Sequence, residues 1–147
     1  MSHRRSWFHY HGLSVAVGAI LLIWILLYLG ADPSTHIGAF YGNAIADWIG
    51  SLVTIVATKF WYERGSLESR RPPRLDTPGL HLLHEHSLTL VLIATWTGWI
   101  WWYAHIDANG KTGQVVGNIV SEWSQIISLV WFTKYLTERG SRESRRA

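Results

Sequence analysis

Residues 13–29 read LSVAVGAILLIWILLYL, a run without one ionisable group. With Trp7, Phe8 and Tyr10 leading in, the apolar stretch covers the ~20 residues that the hydrocarbon core of a bilayer asks of a helix. A second uncharged run of equal length, residues 87–103 (SLTLVLIATWTGWIWWY), ends in Trp and Tyr, which gather where amphipathic rings meet headgroups. Both runs are predicted to span a membrane. A signal peptide is the competing reading of the first. No small-residue cleavage site follows Leu29, however, and the run is long for such a segment, so it is expected to be retained.

Two weaker segments, about 43–62 and 117–137, lie beyond these runs, with uncharged centres only at 48–58 and 123–133. If Asp47 and Lys59 both stayed in water, the stretch between them would rise only ~18 Å, short of the ~30 Å core. Each helix therefore has to continue past its charges, with the lysine reaching back to the interface. Charge topology agrees. Arg4 and Arg5 precede the first run; Lys59, Arg64, Arg70, Arg71 and Arg74 follow the second segment; Lys134, Arg139, Arg142, Arg145 and Arg146 follow the last. Lys111 alone among the Lys and Arg residues falls elsewhere. Four spans put every basic cluster on one side, which the positive-inside rule makes the cytoplasmic one; two spans would split them. The expected helices are about 8–30, 43–62, 84–105 and 117–137.

The averages conceal this. Of 147 residues 48% are hydrophobic, 16% are charged and the formal net charge is +3, figures that suit a soluble domain apart from the low charge and the ten tryptophans. There is no cysteine, which excludes disulfide scaffolds, thiolate metal sites and cysteine nucleophiles. The basic excess reads as membrane topology and not as nucleic-acid binding.

The chain also repeats itself. At a constant offset of 75, His9 and His11 correspond to His84 and His86, Tyr28 to Tyr103, Asp32 to Asp107, Gly42-Asn43 to Gly117-Asn118, Asp47-Trp48 to Glu122-Trp123, and Thr58-Lys59 to Thr133-Lys134. The sequence Glu-Arg-Gly-Ser at 63–66 recurs at 138–141, and Glu-Ser-Arg-Arg at 68–71 recurs at 143–146. Residues 1–71 and 81–147 are thus two helical hairpins joined by a proline-rich cytoplasmic linker, 72–80. The expected fold is all-α: a four-helix transmembrane bundle of two parallel tandem hairpin repeats. Both termini would be cytoplasmic and the location the inner membrane of a bacterium.

Ionisable groups inside a span are costly and are functional candidates by default. Asp47 and Glu122 are those groups. Placed one turn inside helices that begin at Asn43 and Asn118, they would also suit the positive end of the helix dipole, with the asparagines as N-caps. Asp47, Ser51, Thr54 and Thr58 share one helical face, and Ser121, Gln125 and Ser128 make a comparable stripe beside Glu122. Such stripes serve either as interhelical hydrogen bonds or as a hydrophilic pathway with cation-attracting acids at its outer mouth. His9, His11, His84 and His86 are candidate ligands for a metal or haem if the repeats bring them together, and otherwise ordinary interfacial side chains. The tryptophans Trp48, Trp96, Trp99, Trp101, Trp102 and Trp123 read mainly as an interfacial belt. In the exit motif Gly65 and Gly140 suit a left-handed helix cap, and Arg64, Arg70, Arg71, Arg139, Arg145 and Arg146 suit anionic lipid headgroups. No hydrolase, protease or nucleotide-binding signature is present, so no enzymatic activity is expected.

Gly12-Leu13-Ser14 and Ser87-Leu88-Thr89, each leading through a span and a second helix to residues 64–70 and 139–145, resemble a family of small bacterial membrane proteins. In that family the second helix ends in an Arg-Gly-Ser-x-Glu-Ser-Lys-like motif. Asparagine stands there in place of His11 and His86. The resemblance implies the same topology and no particular activity. Two functions are expected from the residues: a small homo-oligomeric channel or transporter, or a non-catalytic accessory subunit of a larger membrane complex; a histidine-ligated metal or tetrapyrrole protein ranks third.

Overall fold

A computed structural model describes residues 2–64, 66, 68 and 78–136. Among them the chain is all helical: α1 (Ser2–Gly30), α2 (His36–Phe60), the short α3 (Pro78–Glu85), α4 (Ser87–Ala104) and α5 (Lys111–Tyr135). The stretch 11–30 of α1, together with α2 and α5, is long and apolar enough to cross a membrane. Leu22, Ile23, Leu26 and Leu27 of α1 are exposed, and Val17 and Tyr28 are buried. A helix apolar nearly all round, holding the chain by a narrow seam, is suited to lipid and not to water.

α1 packs on α2, α2 on α5, and α5 on α4. Hydrogen bonds fix the directions. Tyr28 Oη at the end of α1 donates to the Lys111 carbonyl at the start of α5, 3.1 Å, and Lys111 Nζ donates back to the Tyr28 and Leu29 carbonyls. At the opposite end the Leu88 amide meets the Tyr62 carbonyl. Both hairpin loops therefore lie at one end of the molecule, and α2 and α5 run parallel.

α2 begins at His36, well before the expected residue 43, and α5 at Lys111. The cause lies in the loops. Asp32 Oδ1 accepts from the amide and hydroxyl of Ser34, and Thr35 then caps the helix by accepting from the Gly38 amide, 3.1 Å. Asp107 does the same for the Asn109 amide in the second loop. Gly38 and Gly113 let these turns close, because a β-carbon on either would land on the carbonyl oxygen of Asp32 or Asp107.

The expected continuous helix 84–105 is broken at His86. The extended segment that follows α2 runs alongside the break: the Arg64 amide donates to the Glu85 carbonyl and the Tyr62 amide to Ser87 Oγ. Ser87 Oγ also returns to the His84 carbonyl, a local side-chain bond that competes with continuation of the helix through His86. α3 starts within the expected linker, with Pro78 in the first position, where its missing amide costs nothing.

The core is the α2/α4/α5 contact, built on Ala46, Ala57, Leu88, Leu92, Ile119, Trp123 and Val130. Trp123 is only 3% exposed, and its indole donates to Thr95 Oγ1 at 2.8 Å. Trp96 donates to the Val120 carbonyl, and Trp99 meets Trp123 edge to face. Trp123 is thus core, whereas Trp101 and Trp102 remain exposed as a belt requires. A Trp123→Phe substitution is expected to cost about 1–2 kcal/mol, through the lost indole bond and the gap left behind; thermal unfolding in detergent measures it.

Candidate functional site

Asp47 and Glu122 are each the twelfth residue of a 25-residue helix. At 1.5 Å per residue they stand ~17 Å from one end and ~20 Å from the other. They are midway along their helices, and the expectation that they sit one turn from the helix start is corrected. The reading of Asn43 and Asn118 as N-caps falls with it: Thr35 and Gly110 hold those positions. A carboxylate so deep gains little from the helix dipole, whose effect fades within the first turn.

The helices bring the two acids together across the α2/α5 seam, where their carboxyls interact directly. Gly50 permits this. A β-carbon there would stand 3.2 Å from Glu122 Oε2, so the glycine lets Glu122 lie flat against α2 beside Asp47. Neutral amides flank the pair: Asn43 Nδ2 donates to Asp47 Oδ2 at 3.1 Å, and Gln125 Nε2 to Glu122 Oε1 at 3.2 Å.

The rest of the stripe divides. Asp47, Ser51, Ser121 and Gln125 are exposed and form a polar strip on the surface of the chain. Thr54 and Thr58 turn inward and, with Ile126, Leu129 and Val130, line a cavity of only about 30 Å³. Thr58 and Ser128 spend their hydroxyl protons on the Thr54 and Ser124 carbonyls, at 2.6 and 2.7 Å.

A second polar cluster, at the opposite end from the hairpin loops, was not anticipated. Glu63 is 2% exposed, and its Oε1 accepts from both Lys134 Nζ at 2.9 Å and His86 Nδ1 at 2.6 Å. Burial pushes the Glu63 carboxyl up, but hydrogen bonds from Lys134, Thr89 and His86 outweigh it and hold the group below the usual glutamate range. Ser66 Oγ and Thr133 Oγ1 meet at 3.1 Å beside it, and Arg64 pairs with Glu85 at 3.2 Å on the rim. Each of these contacts joins residues from opposite sides of the linker, so the cluster is a clasp between the two hairpins. The only hint in the sequence was the recurrence of Glu63, His86 and Lys134 as Glu138, His11 and Lys59 at the repeat offset.

This geometry also bears on the remaining candidates. α2 ends at Phe60 with Trp61 as an extended C-cap, and α5 ends at Tyr135 with Leu136 in the same role. Neither end uses a left-handed glycine cap; Gly65 and Gly140 lie outside the described residues, as do Arg70, Arg71, Arg139, Arg145 and Arg146 and the side chain of His9. Among the described residues no three His, Asp or Glu side chains gather as a metal site. Comparison with protein-family models, with curated proteins and with solved structures finds no match to the chain.

Proposed function

We propose that this is a four-span membrane protein that self-assembles and carries cations across the bilayer along the Asp47/Glu122 strip, as a small channel or transporter. The observation that carries the reading is a pair of carboxyls midway along α2 and α5, on a strip with Asp47, Ser51, Ser121 and Gln125 exposed. An acid at the centre of a span costs roughly 2.5–3.5 kcal/mol by insertion scales, and exposing it to lipid has no structural return. The strip therefore faces water or a second copy of the chain. Thr54 and Thr58 line a cavity of only about 30 Å³ within the chain, so the exposed strip is the surface along which a path between copies would run.

α4 completes the topology as the fourth span. It is uncharged, lies antiparallel to α5, and is tied to it near mid-length through Thr95 and Trp96. Four spans return both termini and twelve of the thirteen basic residues to the cytoplasmic side. The test is reconstitution of the purified chain into liposomes, with potassium- and proton-sensitive dyes inside. Flux above that of empty vesicles supports the reading; vesicles that stay tight around a folded, oriented protein overturn it. Copurification with a stoichiometric partner in that second case favours the accessory-subunit role instead.

A further inference from the structure

At the loop end of the α2/α5 seam lies an open cavity of about 560 Å³, with room for on the order of fifteen to twenty waters. Its polar wall is Asn43 from α2, Tyr103 from α4, and Gln114 and Asn118 from α5, with Gly113 and Gly117 of α5 also lining it. These are neutral groups that can replace waters around a passing ion without fixing a counter-charge. The floor is continuous with the acid pair, because Asn43 belongs to the wall and also donates to Asp47.

The charges around the mouth have one sign. Lys111, the single Lys or Arg at this end of the chain, is drawn to the far side, with its ammonium on the Tyr28 and Leu29 carbonyls and over the Tyr28 ring. Asp107 sits in the turn beside the cavity, and His105 is turned back on the Trp101 carbonyl. The two hairpins differ at this point although their residues correspond. Tyr28 is 6% exposed and sealed by its bond to the Lys111 carbonyl, whereas Tyr103, its counterpart, is 39% exposed and opens on the cavity. In the first hairpin the position that corresponds to the sealing lysine is held by His36.

We infer that this cavity is a water-filled vestibule that concentrates monovalent cations and delivers them to Asp47 and Glu122. The inference rests on the proposed transport function and assigns its substrate sign and its point of entry. A concave site adjoining a pair of acids through Asn43 focuses their field on its aqueous mouth.

The chain has no cysteine, so single thiols report cleanly. In the full-length protein at low ionic strength, Gln114→Cys is treated with a cationic and an anionic methanethiosulfonate of similar size. Thr112→Cys, exposed at the same end and not part of the cavity wall, supplies the intrinsic rate ratio. At position 114 the cationic reagent is expected to be favoured on the order of tenfold over that reference, and the preference to fall when Asp47→Asn and Glu122→Gln are added. An unreactive thiol at 114 beside a reactive one at 112, or equal preference at the two positions, overturns the vestibule even where flux is measured. A cationic preference in a protein that passes no ions overturns transport and leaves the vestibule standing as a cation-binding cavity.

Discussion

Replacing Lys134 by methionine is expected to lower stability by about 3–5 kcal/mol, the cost of taking one charged partner from a buried carboxylate. The carboxyl of Glu63 is almost fully buried, and its Oε1 accepts from Lys134 as well as His86. Without the ammonium it keeps the imidazole and loses its permanent positive charge. The reverse change is milder. Glu63→Gln leaves Lys134, which is 20% exposed, free to extend its ammonium to the interface, and is expected to cost about 1–2 kcal/mol. The double variant should recover part of the loss, with a coupling of about 1–3 kcal/mol between the two positions. Acid has the same target. Because Glu63 is held below its ordinary range, the stability it contributes is complete above the unfolded carboxylate pKa. That contribution is lost as pH falls through the folded value, so the parent should weaken below the usual glutamate range while Glu63→Gln stays flat there. Unfolding in detergent, followed by loss of helical signal, measures all of these; a Lys134→Met chain as stable as the parent would mean that no clasp joins the hairpins.

The second large effect is on transport. A fixed carboxylate at mid-depth offsets part of the cost of stripping water from a cation, and every 1.4 kcal/mol is about tenfold in occupancy. Asp47→Asn and Glu122→Gln keep the shape and the flanking amide contacts while removing the charge. Each is expected to cut cation flux about tenfold and the pair about a hundredfold, on that scale. Stability should move the other way: a neutral amide is cheaper in a span than a carboxylate, so the variants are expected to be as stable as the parent or more so by about 1 kcal/mol. That opposition of signs separates a group kept for function from one kept for packing, since Lys134→Met lowers stability and these changes do not.

The apolar run at 13–29 was plain in the sequence because nothing in it competes with burial in lipid; the run at 87–103 forms α4, which among the described residues is not one of the three helices long and apolar enough to cross a membrane. The starts of α2 and α5 were not plain. Asn43 offers a cap for a helix over 43–62, while the deciding signal was the hydrogen bonding of Asp32, Ser34 and Thr35 ahead of Gly38. That error moved Asp47 and Glu122 toward the surface and made a helix-dipole explanation look sufficient. Helical spacing did identify the stripe that carries both acids, but contact across the seam depended on the absence of a β-carbon at Gly50, which no periodicity displays. Trp123 was expected at an interface because tryptophan is commonest there; its burial follows from Thr95 on α4 offering the indole an acceptor. The Glu63 clasp joins residues 23 and 71 positions apart, beyond the reach of any local pattern.

Cation passage past Asp47 and Glu122, paired midway along α2 and α5, is the function proposed for the chain. Its most direct test is cation flux into liposomes carrying equal amounts of folded parent and of the Asp47→Asn, Glu122→Gln double variant. Flux is expected in the parent and a loss of about two orders of magnitude in the variant, with unfolding stability undiminished. Equal flux from the two proteins, or a variant that loses stability together with flux, would contradict it.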